Sequence, residues 1–194
     1  MKELLRRAVG GDIAPQELRR RIRGDRGAEM RRRRGIVGLS LVGIASMGVV
    51  ALYQTGVLRH LPGPPSRRPH FDSERVNGSD EAFGHGMPDG PVALAAHAAN
   101  LAIAAAGAPE RYRTRPWLPL LAALLSGAQA AVAARALLHR MPKEGRAWCA
   151  YCIADALTHV GTFALTLPEA ARAGAALIRP AGEPPDDFRR RGML

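Results

Sequence analysis

The chain has 194 residues, enough for one domain, with 47% apolar residues, only 5% aromatics and a net charge of +11. So basic a chain is a candidate nucleic-acid binder, because cationic patches neutralise phosphates and release counterions. The placement of the charge argues against that class: most Lys and Arg fall in residues 1–35, between Arg111 and Arg115, or after residue 171, the alternation that positive-inside topology produces. Apolar residues gather in long uncharged runs although mean hydropathy is near zero, which describes a small polytopic membrane protein.

Residues 1–34 are a basic leader. A short helix from Lys2 to Val9 is expected there, interrupted by Gly10-Gly11 and Pro15, and the segment reads as a solvated tail drawn to anionic headgroups. Gly35 to Leu58 is uncharged and long enough to cross hydrocarbon with some tilt. It follows Arg31-Arg32-Arg33-Arg34, a block held on the cytoplasmic side. The long leader, the long run and the lack of a small-x-small site after it favour an anchor over a cleaved signal peptide.

His60 to Gly90, with Pro62, Pro64, Pro65, Pro69 and Pro88, reads as an outer loop without regular structure. Pro91 to Pro109 is the second run, interrupted only by polar His97 and Asn100, and the turn Glu110 to Arg115 returns its three Arg to the cytoplasm. Pro116 to Ala134 is the third run, with Trp117 as an interfacial anchor. The basic connection 139–146 then faces outward against the charge trend. A fourth run starts near Trp148 and continues to Pro168, broken by Asp155, and a tail from Arg172 lies inside, with 180–194 expected to be disordered.

The expected organisation is a cytoplasmic tail over 1–34, an all-α four-helix membrane domain over 35–172, and a second cytoplasmic tail over 173–194. Both termini are then cytoplasmic in a multi-pass protein of the cell membrane.

The only two cysteines, Cys149 and Cys152, stand three apart at the start of the fourth run. Such a pair can alternate between dithiol and disulfide, and the N–H groups and dipole of a helix N-terminus favour the thiolate that drives exchange. In this topology Cys149 is nearest solvent and Cys152 lies roughly 4.5 Å deeper at 1.5 Å per residue. Electrons entering at Cys149 would leave from Cys152 into the bilayer, where a lipid-soluble quinone is the acceptor within reach. Quinone reduction takes up protons, and Asp155, His159, His97 or Asn100 are candidates to supply a proton or a hydrogen bond to a carbonyl oxygen, since polar and ionisable residues inside a span are functional candidates.

Plainer readings stand beside this one. The two cysteines can be inert packed thiols; His97 and His159 can ligate a haem between helices; Asn100, Ser126 and Gln129 can be interhelical hydrogen-bond glue. A structural zinc site needs four ligands and one CxxC does not supply them, so no metal is expected.

The chain carries Ala45-Ser46-Met47-Gly48-Val49-Val50-Ala51-Leu52-Tyr53-Gln54-Thr55-Gly56, then His60-Leu61-Pro62, Phe71-Asp72-Ser73 and Val76-Asn77-Gly78-Ser79-Asp80-Glu81-Ala82. Further on come Arg113-Thr114-Arg115-Pro116-Trp117 and Trp148-Cys149-Ala150-Tyr151-Cys152. With four spans and a CxxC opening the last, it resembles the vitamin K epoxide reductase family, bacterial members in particular, over roughly residues 35–172. The resemblance implies a four-helix bundle around a quinone pocket that oxidises thiols and reduces a quinone. It implies Cys152 as the cysteine facing the quinone and Cys149 as the one exchanging with an incoming thiol. Asn100 is the implied partner of the quinone.

Typical members also carry a cysteine pair in the first outer loop, which His60 to Gly90 lacks, and often a tyrosine one turn after the second cysteine, where this chain has Ala156. The expected function is a membrane thiol:quinone oxidoreductase served by a thioredoxin-like or DsbA-like redox protein on the periplasmic side, with membrane lipid as its surroundings and quinone as acceptor. The rival is a non-catalytic four-span binding or scaffold protein.

Overall fold

The computed structural model describes residue 1 and residues 13–63, 71–84, 86–140 and 147–178. The expectations for Lys2–Val9, for 180–194 and for most of the 139–146 connection lie outside the described residues. Helix α1 is Pro15–Gly24 and α2 is Ala28–Gln54. Short α3, Ser73–Asn77, is followed by a 3-10 turn at Asp80–Phe83. Then come α4, Asp89–Ala105, short α5, Arg111–Thr114, α6, Trp117–Arg135, and α7, Ala150–Ile178.

Several boundaries differ from the sequence reading. Pro15 opens a helix instead of interrupting one, because a first-turn position has no N–H bond to lose. Helix α2 begins upstream of the uncharged run, so the arginine block is helical. The stretch His60 to Gly90 is not wholly irregular: the Asp72 carboxylate accepts a hydrogen bond from Arg75 N at 2.9 Å and caps α3. Pro168 does not end α7. The helix runs ten residues further, to Ile178, since Glu169, Ala170 and Ala173 beyond the proline are buried against the bundle.

Among the described residues, three helices are long and apolar enough to cross a membrane: Ala28–Gln54, Trp117–His139 and Ala150–Ile178. Helix α4 has 17 residues, roughly 26 Å at 1.5 Å per residue, a little under the roughly 30 Å of hydrocarbon. Helix α2 packs along both α4 and α7, and α6 packs along α7, whereas α4 and α6 touch over a much shorter stretch. The interior is built from small residues, among them Ala104, Ala122, Ala130, Ala156 and Ala173, while Leu124, Leu157 and Leu177 point outward and are exposed. Small residues let helix backbones approach, and large apolar ones face lipid, the arrangement of helices that pack inside a membrane. Gly43 shows how tight this is: a Cβ there would sit 2.2 Å from His97 Nε2, so glycine at 43 makes room for the His97 ring between α2 and α4.

At the end of the bundle where α4 stops, two buried arginines take up its carbonyls. Arg33 donates to the carbonyls of Ala104, Ala106, Gly107 and Ala108 at 2.7–3.1 Å. Arg111 reaches Ile103 and Ala106 and pairs with the Glu169 carboxylate through both Nε and Nη2. A helix C-terminus leaves its last carbonyls without partners, and guanidinium groups satisfy both the hydrogen bonds and the dipole. Gly107, at φ 75°, makes the turn that brings these carbonyls round to Arg33.

Candidate redox site

At the opposite end, Cys149 occupies the N-cap position of α7: its carbonyl accepts from Ile153 N at 3.0 Å and its Sγ accepts from Cys152 N at 3.1 Å. The sulfur therefore stands where a Ser or Asp oxygen usually caps a helix, against the unpaired N–H groups of the first turn. Both cysteines are free thiols.

Asn77, at the end of α3, bridges them. Its Nδ2 donates to Ser73 O at 2.7 Å and to Cys149 Sγ at 3.1 Å, and its Oδ1 accepts from the Cys152 thiol at 3.7 Å. The two amide hydrogens are thereby both used, which fixes the orientation of the group. Gln54, the last residue of α2, holds this arrangement from behind by donating to Asn77 O and Asp89 Oδ1 and accepting from Gly90 N.

One expectation is reversed. Cys149 is not the solvent-facing sulfur: it is fully buried, while Cys152 is partly exposed. The segment from Phe71 to Asn77 lies over Cys149, joined to the chain before α7 by a parallel bridge between Phe71 and Trp148, by Asp72 N donating to Trp148 O at 3.0 Å, and by Ala150 N donating to Ser73 Oγ at 3.4 Å. Val76 and Ala147 close round the sulfur. Tyr151 adds a hydrogen bond from its hydroxyl to Pro62 O. Depth along a helix axis was the wrong measure of access, because a folded-over loop covers the helix end.

Cys152 lines a cavity of about 490 Å³ between α4 and α6, where the two helices part. Its walls are largely apolar, with Met47, Val92 and Val132 among them, and carry a few polar groups: Asn77, Asp89, Gln129, Asp155 and His159. A mostly apolar cleft of this size with a small number of placed polar groups is the general form of a small-molecule site.

The structure brings His97, Asp155 and His159 together one turn below Cys152. His97 Nε2 lies 2.8 Å from Asp155 Oδ1 and His159 Nε2 lies 3.4 Å from the same oxygen. The two imidazoles stack at 4.0 Å with 13° between their planes. That stack opposes the haem reading, since a porphyrin cannot stand between rings 4.0 Å apart. Asn100 is not brought to the cavity: its Nδ2 donates to Gln129 Oε1 at 2.6 Å, and it is buried beside a small separate void. Ser126 bonds to Ala122 O and Thr166 Oγ1. Both behave as interhelical glue.

Asn77, Gln54 and Ser73 were not singled out from the sequence, although Asn77 stands in the quoted run Val76 to Ala82. Nothing in its spacing from the cysteines, 72 residues away, signals that it meets them.

Hydrogen bonds give Cys149 an acidic thiol. The neighbouring Cys152 thiol, the Cys152 backbone N–H and the Asn77 amide together hold the Cys149 thiol below the usual cysteine range, against burial, which pushes it up. A lowered pKa means that the thiolate forms at lower pH than in an ordinary cysteine. The rate at which a small aromatic disulfide oxidises the reduced protein should therefore level off below the roughly 8.5 at which an ordinary thiol does. Asn77→Ala should move that inflection upward, as read from stopped-flow rates across roughly pH 5.5–9.5.

No curated protein and no solved structure matches the chain closely enough to add to these observations. The sequence model described as the vitamin K epoxide reductase family matches residues 35–167, most of the chain and all four long helices but for their ends. With an all-helical fold, helices suited to a bilayer and a cysteine pair capping the last of them, the chain belongs to the vitamin K epoxide reductase family, a family of membrane oxidoreductases.

Proposed function

We propose that the protein is a thiol:quinone oxidoreductase in which Cys149 and Cys152 take two electrons from a thiol substrate and deliver them to a quinone in the cavity beside Cys152. Helix α4 is the fourth crossing in this reading, both termini are cytoplasmic, and the cysteine pair faces the outer side. The observation that carries the reading is the position of Cys152: its sulfur touches Asn77 and Cys149 on one side and opens on the apolar cavity on the other. A thiol in the first turn of a helix, beside a partner three residues earlier, is arranged for exchange. The parting of α4 and α6 offers a flat apolar ring a route from the lipid.

Asn77 replaces Asn100 as the candidate to hydrogen-bond a quinone carbonyl, because it lines the cavity and Asn100 does not. The incoming thiol is that of a thioredoxin-like protein or a smaller dithiol, and the segment Phe71 to Asn77 must move aside for it to reach Cys149. A scaffold that merely kept the fold would have no use for an acidic, capped thiol next to a cavity.

The test is thiol labelling in isolated membranes. Adding a short-chain benzoquinone to reduced membranes should make Cys149 and Cys152 resistant to maleimide together, and dithiothreitol should restore labelling. Labelling that quinone leaves unchanged returns the protein to the scaffold class.

A further inference from the structure

Reduction of a quinone to a quinol consumes two electrons and two protons. Two neutral thiols closing into a disulfide would release both, but a Cys149 sulfur that accepts hydrogen bonds from Cys152 N and Asn77 Nδ2 at the head of α7 enters as thiolate and brings only its electrons. The reaction is then one proton short. The nearest source of the missing proton is a group already beside the cavity, whose walls are largely apolar.

We infer that His97, Asp155 and His159 form a single proton-holding unit that passes its proton from His159 to a quinone oxygen as Cys149 and Cys152 close into a disulfide. This rests on the reading of the cavity as a quinone site. Asp155 and His159 both line that cavity, and His97 is fully buried behind them. Nδ1 of each imidazole is buried without a hydrogen-bond partner, so the Nε2 edges, which share Asp155 Oδ1, are the ends of the rings that meet another group.

His97 Nε2–H is the nearer donor to the carboxylate at 2.8 Å and positions it; His159, at 3.4 Å and stacked over His97, is left with the looser contact and the cavity-facing place. Two imidazolium rings 4.0 Å apart would repel, so the inferred unit has one proton to give and not two. Among the described residues Asp155 has no Lys or Arg partner in any ion pair; α6 contributes only neutral Gln129 to the polar part of this wall, and α2 only the apolar Met47. The two imidazoles are thus the groups that face its carboxylate. The remaining titratable groups of the cavity, Asp89 and Cys152, lie toward its outer end.

The step balances. Cys149 thiolate, Cys152 thiol, protonated His159 and quinone give the Cys149–Cys152 disulfide, neutral His159 and quinol: the sulfur atoms lose two electrons, the quinone gains them, and its two protons come one from Cys152 and one from His159. When an incoming dithiol reduces the disulfide again, its two protons restore the Cys152 thiol and recharge His159. The cycle thus closes within the site. Asp155 and His97 are positioning residues, since neither is required to touch the quinone.

The test uses the purified full-length protein in lipid nanodiscs, reduced and mixed rapidly with a short-chain benzoquinone while quinol absorbance is followed. At saturating quinone, His159→Ala should slow quinol formation roughly a hundredfold, within the range usual for a general acid, with KM for the quinone little changed. Added imidazole should restore a large part of the lost rate, which no purely structural role of His159 would allow. Asp155→Asn should show a similar loss without imidazole rescue.

Should His159→Ala fail to assemble, His159→Gln keeps the side-chain volume and a hydrogen-bonding edge and is expected to show the same loss in rate. Variants that form quinol at the wild-type rate, or that lose rate only through a raised KM with no imidazole rescue, overturn the inference and leave the proposed function standing. A wild-type protein that forms no quinol overturns the proposed function and the inference with it.

Discussion

On the proposed function, replacing Cys152 with serine should stop quinone-dependent thiol oxidation, lowering turnover by about a thousandfold or more, as loss of an obligatory reacting group does, and should leave half of an added small disulfide trapped on Cys149. The asymmetry follows from the hydrogen bonds. Cys149 Sγ accepts from Cys152 N and Asn77 Nδ2, so it is the more acidic sulfur and the better attacking or leaving group in exchange. Its thiolate attacks the added disulfide, one half of which leaves as a thiol while the other stays on Cys149 as a mixed disulfide, and within the protein only the Cys152 thiol can resolve it. Without that thiol the adduct persists and is visible as a mass shift on the peptide containing Cys149; Cys149→Ser gives neither turnover nor adduct. An adduct found on Cys152 in the Cys149→Ser protein instead would reverse the order of the two sulfurs. Because Cys149 is buried under Phe71–Asn77, trapping has a second signature. Asp72→Ala removes the cap of α3, an interaction of about 1 kcal/mol, and should speed adduct formation without altering the final yield.

How much of this could be read from the chain alone depends on the kind of interaction. The long helices follow from uncharged runs bounded by Arg, Pro and Gly, because the cost of leaving backbone groups without partners in hydrocarbon makes helix the solution for such a run. Helix ends were less legible. Pro168 reads as a stop, yet the helix continues because Ala170 and Ala173 pack against the bundle and Glu169 pairs with Arg111, which offset one missing N–H bond. The arginines were read as topology markers, which accounts for a cluster but not for its members: Arg33 and Arg111 are among the most buried side chains in the protein. Charge counts along a sequence do not distinguish a guanidinium in headgroups from one capping a helix.

The candidate site divides in the same way. Cys152, Asp155 and His159 lie within α7 and Cys149 caps it, so the 3.6-residue repeat alone puts them near one another, and His97 stands out because it interrupts an apolar run. Asn77 and Asn100 show the limit. Both are buried asparagines, and the one inside a span looked more functional than the one in a proline-rich loop. In three dimensions the span asparagine is consumed by Gln129, while the loop asparagine meets both sulfurs. That outcome depends on the loop returning to the start of α7 through the Phe71–Trp148 bridge, a contact between positions far apart in sequence that no local pattern announces.

The largest loss of stability is expected at the other end of the bundle, from Glu169→Gln or Arg111→Met alone. The two side chains are both almost completely buried and form a two-bonded pair at 2.7 and 2.8 Å. Removing one partner leaves the other charge buried and uncompensated, a loss of about 3–5 kcal/mol in comparable buried pairs. Arg111 carries the heavier consequence because it also satisfies carbonyls at the end of α4; its loss should loosen α4, the shortest of the four long helices, against α7. The double variant Arg111→Met with Glu169→Met removes both charges and should recover much of the stability lost by either single change, since no unpaired ion remains. Thermal unfolding in detergent, followed by the exposure of Cys149 and Cys152 to a thiol-reactive dye, measures all three. Recovery in the double variant assigns the loss to an orphaned charge; a loss in the double variant equal to that in Arg111→Met alone would assign it to the Ile103 and Ala106 carbonyls that Arg111 caps.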